Sequence, residues 1–167
     1  MSIKITVPVE LNNYPKLKLK ELRWYIADSL RFEQASTVED DDEKIKFSVG
    51  FFRSFWNWTA LSTIYGGEIN FQTDAGRILV VSRLSFTDTV VIASAVIGLM
   101  ALYNYRTMSA GDDDVIFYIV AWFWFIGGNM IVSVYRWRRF IRQCVREAAD
   151  RVYISKEQLL ANRRVQN

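Results

Sequence analysis

Histidine is absent from this chain, cysteine occurs once and proline twice. The missing histidine removes the commonest general base near neutral pH, and with it imidazole ligation of zinc or haem. The lone Cys144 rules out a disulfide within one chain, and its place after the last apolar run fits a reducing compartment. There is no GxGxxG, no Walker-type glycine loop, no CxxC, and no serine or cysteine to pair with a histidine. An enzyme is therefore the least expected class: no catalytic residue, metal ligand or cofactor is called for. The acidic run at residues 39–43 reads as a solvated loop rather than a metal site.

Charge is missing from two stretches. Although 23% of the residues are charged, none lies between positions 89 and 105 or between 115 and 135. A bilayer core takes about 20 apolar residues in a helix. The second stretch reaches that alone, and the first does so once Phe86 and Thr87 are included, with Asp88 at the interface. A buried helix of a soluble bundle usually keeps a polar face, and residues 115–126, VIFYIVAWFWFI, have none. Two membrane spans are expected, at about 86–105 and 115–135. Arg77 and Arg83 precede the first, and Arg136, Arg138, Arg139, Arg142 and Arg146 follow the second, whereas the connecting loop carries Arg106 against Asp112, Asp113 and Asp114. Positive residues stay inside. The chain should be a multi-pass protein of the inner cell membrane with both termini cytosolic. Its first residues, Met1-Ser-Ile-Lys-Ile-Thr, lack the apolar core of a signal peptide, so no cleavage is expected and the first span should act as the insertion signal.

Around the spans the chain divides into three. Residues 1–84 should form a small cytosolic α+β unit with a sensory or regulatory role, 85–136 a transmembrane hairpin, and 137–167 a basic, amphipathic cytosolic helical tail. Ile3, Ile5, Val7 and Val9 alternate with polar residues as a strand does, and Pro8 places it at a sheet edge. Leu19, Leu22, Ile26 and Leu30 recur at helical spacing, and Ile45, Phe47, Val49 and Phe51 alternate as a second strand. Phe55, Trp58, Leu61 and Tyr65 suit a short helix that Gly66-Gly67 would end. Residues 68–72 and 77–84 read as a hairpin around Thr73-Asp-Ala-Gly76. In the tail, Trp137, Ile141, Cys144, Ala148 and Val152 make one apolar stripe opposite the arginines, and Ser155 with Gln158 forms a capping pattern that would start a last, separate helix.

Three sets of residues are candidates for function. In the spans, Ser94, Gly98 and Ala101 form a small-residue seam, and Gly128, Asn129 and Ser133 a narrow, partly polar strip. These either pack helices tightly or line a pore, and both readings call for a homo-oligomer of three or more chains. Asp112, Asp113 and Asp114 complement the dipole of the second span; in a ring of subunits they would also form an acidic outer mouth that favours cations. In residues 1–84, Lys16, Lys18, Lys20, Arg23, Arg31, Lys44, Lys46 and Arg53 interleave with Tyr14, Trp24, Tyr25, Phe47, Phe52 and Trp56. Cations beside rings suit a nucleotide or single-stranded nucleic acid, with Trp24 a stacking surface. The alternative is a solvated basic face over an aromatic core.

A small cytosolic unit joined directly to a two-helix hairpin resembles the channel-forming effectors of bacterial anti-phage systems, the Hailong type nearest among them. The likeness is architectural and spans the whole chain. It implies an oligonucleotide ligand, such as DNA, an oligomeric ion channel and a part in antiviral defence. The rival reading is a non-catalytic accessory subunit of a larger membrane complex, in which the aromatic face of Trp122, Phe123, Trp124 and Phe125 would be buried against other membrane subunits. The partners to expect are thus further copies of the chain, the lipid bilayer, and a nucleotide or single-stranded nucleic acid.

Overall fold

The structure is a computed structural model; it describes residues 1–10, 14, 17–33, 35–41, 43–50, 61, 63–74, 76–107 and 112–165. Five antiparallel strands, β1 (Ser2–Glu10), β2 (Thr37–Asp41), β3 (Lys44–Ser48), β4 (Gly66–Asp74) and β5 (Arg77–Ser85), form one sheet in the order β1-β5-β4-β3-β2. Among the described residues three helices accompany it: α1 (Leu19–Phe32), α2 (Thr87–Thr107) and α3 (Asp112–Val165). The α+β class expected for the N-terminal part is what the chain adopts.

One face of the sheet is apolar because the alternation in each strand points the same way. Ile5, Val7 and Val9 of β1 lie in register with Ser82, Val80 and Ile78 of β5, and Ile69 of β4 with Ile45 of β3; all are buried. α1 and α3 cover this face, α1 over β2 and β3 and α3 over β1. Leu22, Ile26 and Leu30 of α1 are buried completely, as are Trp137 and Ile141 of α3. The stripe read in the tail is therefore part of the core. Trp137 stacks on Phe47, with ring centroids 5.4 Å apart and planes 15° from parallel. At the start of α1, Glu21 reaches back to accept from the Lys18 backbone N–H at 3.1 Å, a carboxylate on one of the free amides of the first turn.

β1 is an edge strand, as Pro8 requires, and the β4–β5 hairpin turns at Gly76, whose φ of 79° is open to glycine without strain. Three local expectations are corrected. Most of the acidic run is strand β2 rather than loop: Glu39 lies opposite Lys46 and Asp41 opposite Lys44, so cross-strand charge pairing supports a sequence with little intrinsic β preference. Gly66 and Gly67 do not end a helix but open β4; residues 51–60 lie outside the described residues. A Cβ on Gly67 would sit 2.8 Å from the Arg83 carbonyl oxygen and 3.0 Å from the Phe47 ring, so glycine lets β3 and β5 close on β4. Finally, α3 passes through Ser155 without a break. Neither glycine nor proline follows in 156–165, and the residues there are good helix formers, so a capping pattern alone does not interrupt the helix.

α2 and α3 each contain a segment long and apolar enough to cross a membrane, Thr87–Arg106 and within Val115–Val152. At 21 residues, α2 is about 31 Å long, close to the thickness of a hydrocarbon core. The most apolar windows are only 6% and 11% buried within the chain. That separates them from core helices of a soluble protein, whose apolar side chains are covered by their own fold.

Candidate functional site

The sheet and the two apolar helices meet at a small polar junction. β5 ends at Ser85, and one residue later α2 begins; the Phe86 N–H between them donates to the Met1 carbonyl at 3.0 Å, and the Phe86 side chain is buried. The Tyr65 N–H donates to the Ser85 carbonyl at 2.9 Å, which ties the residues before β4 to the same point. Thr63 then links both helices. Its carbonyl accepts from the Thr89 hydroxyl of α2 at 2.9 Å, and its hydroxyl hydrogen-bonds Ser133 of α3. Ser133, almost fully buried, donates in turn to the Asn129 carbonyl at 2.6 Å. A hydroxyl chain from the loop into α3 satisfies groups that burial would otherwise leave costly.

Beyond the junction, α3 is held to α1 by a second polar cluster. The Tyr25 hydroxyl donates to a Glu147 carboxylate oxygen at 2.5 Å, Gln143 donates to the other at 2.8 Å, and the Arg151 guanidinium lies 4.9 Å from the Tyr25 ring centroid. Donation from Tyr25 and then from Gln143 holds the Glu147 carboxyl below the usual range. Burial, then the hydrogen bond to Glu147, pushes the Tyr25 hydroxyl up to about 12. Burial likewise raises the Cys144 thiol to about 12, against a smaller opposing effect of the Ser29 hydroxyl. It is a packing residue, not a reactive thiolate.

The candidate intramembrane residues are split between two surfaces. Ser94 accepts from the Trp122 indole N–H at 2.9 Å, and Asn104 hydrogen-bonds Tyr118, so part of each helix forms a seam within the chain. Ala101 is half-buried, and Ile97, Ile126 and Met130 are buried. Gly98 is exposed and Gly128 half-buried, and a Cβ at either would meet nothing within 4 Å. Asn129 is exposed and turns its amide back to the Phe125 carbonyl at 2.6 Å. Within the strip read as one face, Ser133 is buried at the junction, Gly128 is half-buried and Asn129 is exposed. Asp112, Asp113 and Asp114 start α3, consistent with an acidic helix N-terminus; their side chains are not among those described.

The basic candidates also separate. Lys16 and Arg53 lie outside the described residues. Arg23 pairs with Asp40 through Nε at 2.9 Å, and Lys44 and Lys46 face the acids of β2 across the strand pair. Lys18 is exposed ahead of α1; Lys20, Trp24 and Arg31 are exposed on one side of the helix together with half-buried Asp28, and Trp24 is 53% exposed. Of the interleaved rings, Tyr25 and Phe47 belong to the core, Tyr14 is half-buried, and Phe52 and Trp56 lie outside the described residues. Sequence reasoning missed Thr63 and Glu147. Only the position of Glu147, seven residues after Phe140 and beside the apolar stripe, could have marked it as facing α1.

No protein-family model matches the chain, and neither a curated protein nor a solved structure matches it.

Proposed function

We propose that the chain is a two-span membrane protein whose copies assemble into an ion channel controlled by the cytosolic α+β unit. One observation carries this reading: α3 is a single helix whose first part is apolar and uncovered and whose later part is built into the core of the sheet. A change in the sheet unit must therefore move an intramembrane helix, both through α3 and through the one-residue join from β5 to α2. A ligand shifts such an equilibrium only by binding the two arrangements unequally. An anionic ligand, a nucleotide or a short single strand, has Lys18, Lys20, Trp24 and Arg31 to meet it; Arg23, Lys44 and Lys46 of that set lie against acids. Such a device suits an anti-phage effector, closed until a signal arrives.

Oligomerisation is supported by Gly98 and Gly128. Glycine inside a helix costs about 1 kcal/mol relative to alanine, and within one chain nothing uses the space. Close approach of another helix would. A second reading, an accessory subunit of a larger membrane complex, is favoured by the exposure of Phe123, Trp124 and Phe125 in one run.

Planar-bilayer recording of the purified chain tests the proposal. It predicts cation-preferring current that changes on adding a test oligonucleotide, loses its selectivity when Asp112, Asp113 and Asp114 become Asn, and disappears with Gly98→Leu. Silence with and without oligonucleotide favours the accessory subunit.

A further inference from the structure

The two edges of the sheet complement each other. Among the described residues, no strand pairs with the outer side of β1 or of β2. Such an edge is an open ladder of backbone donors and acceptors, and proteins usually cover or blunt it. β1 is nine residues long. Both strands start at the end of the sheet where β5 hands over to α2, since Ser2 and Thr37 lie in the row that runs through Ser85, Gly66 and Ser48. Two residues on, along the face turned away from the helices, the row reads Glu39, Lys46, Glu68, Arg83, Lys4 from edge to edge. It begins with an acid on β2 and ends with a base on β1, and Glu39 and Lys4 are both exposed.

Orientation limits how copies can meet. β5 ends one residue before α2, so the end of the sheet at which β1 and β2 both start is the end that joins the apolar helices. α3 leaves its apolar part at Tyr135 and meets the sheet through Trp137 at Phe47, one row in from the end nearest α2. β1 and β2 thus both run away from the end of the sheet that adjoins the apolar helices. Copies anchored in one membrane are related by rotation about its normal, so their strands all point the same way. Antiparallel pairing of β1 with β1 would turn one copy upside down, whereas β2 of one copy meets β1 of the next as a parallel pair.

We propose that β2 of each subunit pairs in parallel with β1 of its neighbour, carrying the sheet around a closed ring in which Glu39 of one copy lies against Lys4 of the next. This rests on the membrane-anchored oligomer proposed above and names the contact that closes it. The repeating interface is heterologous, with unlike edges joined, and rotation closes it. It also places Thr37 beside Ser2 and Asp41 beside Thr6, so no like charges face each other across it.

The full-length chain with Lys4→Cys and Glu39→Cys, oxidised mildly in native membranes, tests this. Within one subunit the two positions are four strand spacings apart, about 19 Å at ~4.8 Å each, and a disulfide needs Cα atoms within about 7 Å. Any bond must therefore join two chains, and Cys144 is buried. The proposal predicts a ladder of covalent multimers that stops at the ring number, with no ladder from either single variant. Lys4→Glu and Glu39→Lys should each lower the oligomer fraction several-fold, and the two together should restore it. An oligomer by native mass measurement in nanodiscs without a ladder overturns this interface and leaves the oligomer standing. A double charge reversal as weak as the single ones also overturns it. A wild-type monomer in nanodiscs overturns the oligomer itself.

Discussion

Trp124 and Trp137 stand on the same helix, thirteen residues apart, in opposite circumstances: the first is 77% exposed and the second 0%. Around Trp124 the helix is apolar on every side. Around Trp137 it is apolar on one side and carries Arg138, Arg139 and Arg142, all exposed, on the other. The difference shows two solvation problems solved by one element. A helix that is apolar all round must find an apolar medium or partners, whereas a one-sided stripe needs only a sheet to lie on. The change from one pattern to the other, between Tyr135 and Trp137, marks where the surroundings of α3 change.

Truncating the two rings breaks or upholds that contrast most sharply. Trp137→Ala empties a site between Phe47 and Phe140 and should cost the sheet unit about 3–5 kcal/mol, read by thermal denaturation of the full chain in mild detergent. Trp124→Ala should change the same transition by less than about 0.5 kcal/mol. Equal effects would mean that the two halves of α3 belong to one buried core.

Gly67→Val examines the sheet side of the comparison. The added carbons meet a backbone oxygen at 2.8 Å and the Phe47 ring that supports Trp137, so overpacking should cost about 1–3 kcal/mol. At Gly98 an added Cβ has nothing within 4 Å, so Gly98→Val should leave that transition unmoved while lowering the oligomer fraction.

A smaller effect belongs to the contact of α1 with α3. Losing a hydrogen bond to a carboxylate at a partly buried site, Tyr25→Phe should cost about 1–2 kcal/mol. The sign with pH follows from linkage. Glu147 is held below the ordinary carboxylate range, so its contribution is present above that range and is lost as pH falls through the lowered value. Tyr25 is raised from 10.0 to about 12, so its contribution is full below 10 and fades as pH rises towards 12. Denaturation midpoints of wild type should therefore drop at both ends relative to Tyr25→Phe. Parallel pH profiles would assign the pair no energetic role.

Much of this architecture is legible in the residues, and the remainder is hidden for definable reasons. The alternation of Ile3 to Val9, the spacing of Leu22, Ile26 and Leu30, the glycine turn at Gly76 and the two charge-free runs each carry their signal locally. β2 does not, because Glu39 and Asp41 become strand residues only with Lys46 and Lys44 opposite. Gly66-Gly67 reads as a helix stop until the Phe47 ring that needs the space is known. The stripe from Trp137 to Val152 is visible, but not what it packs on. The candidate ligand face suffers most, since a cation in sequence shows no sign of the acid that pairs with it: Arg23 of α1 looks like Lys20 until Asp40 arrives from β2.

Nitroxide labels at Phe123→Cys and Arg142→Cys, in the full chain reconstituted into vesicles, measure the change of surroundings along α3 directly. The proposed bilayer placement predicts a label at 123 relaxed strongly by oxygen and weakly by a water-soluble nickel complex, and the reverse at 142. A label at 123 that the nickel complex reaches as readily as it reaches 142 would contradict it.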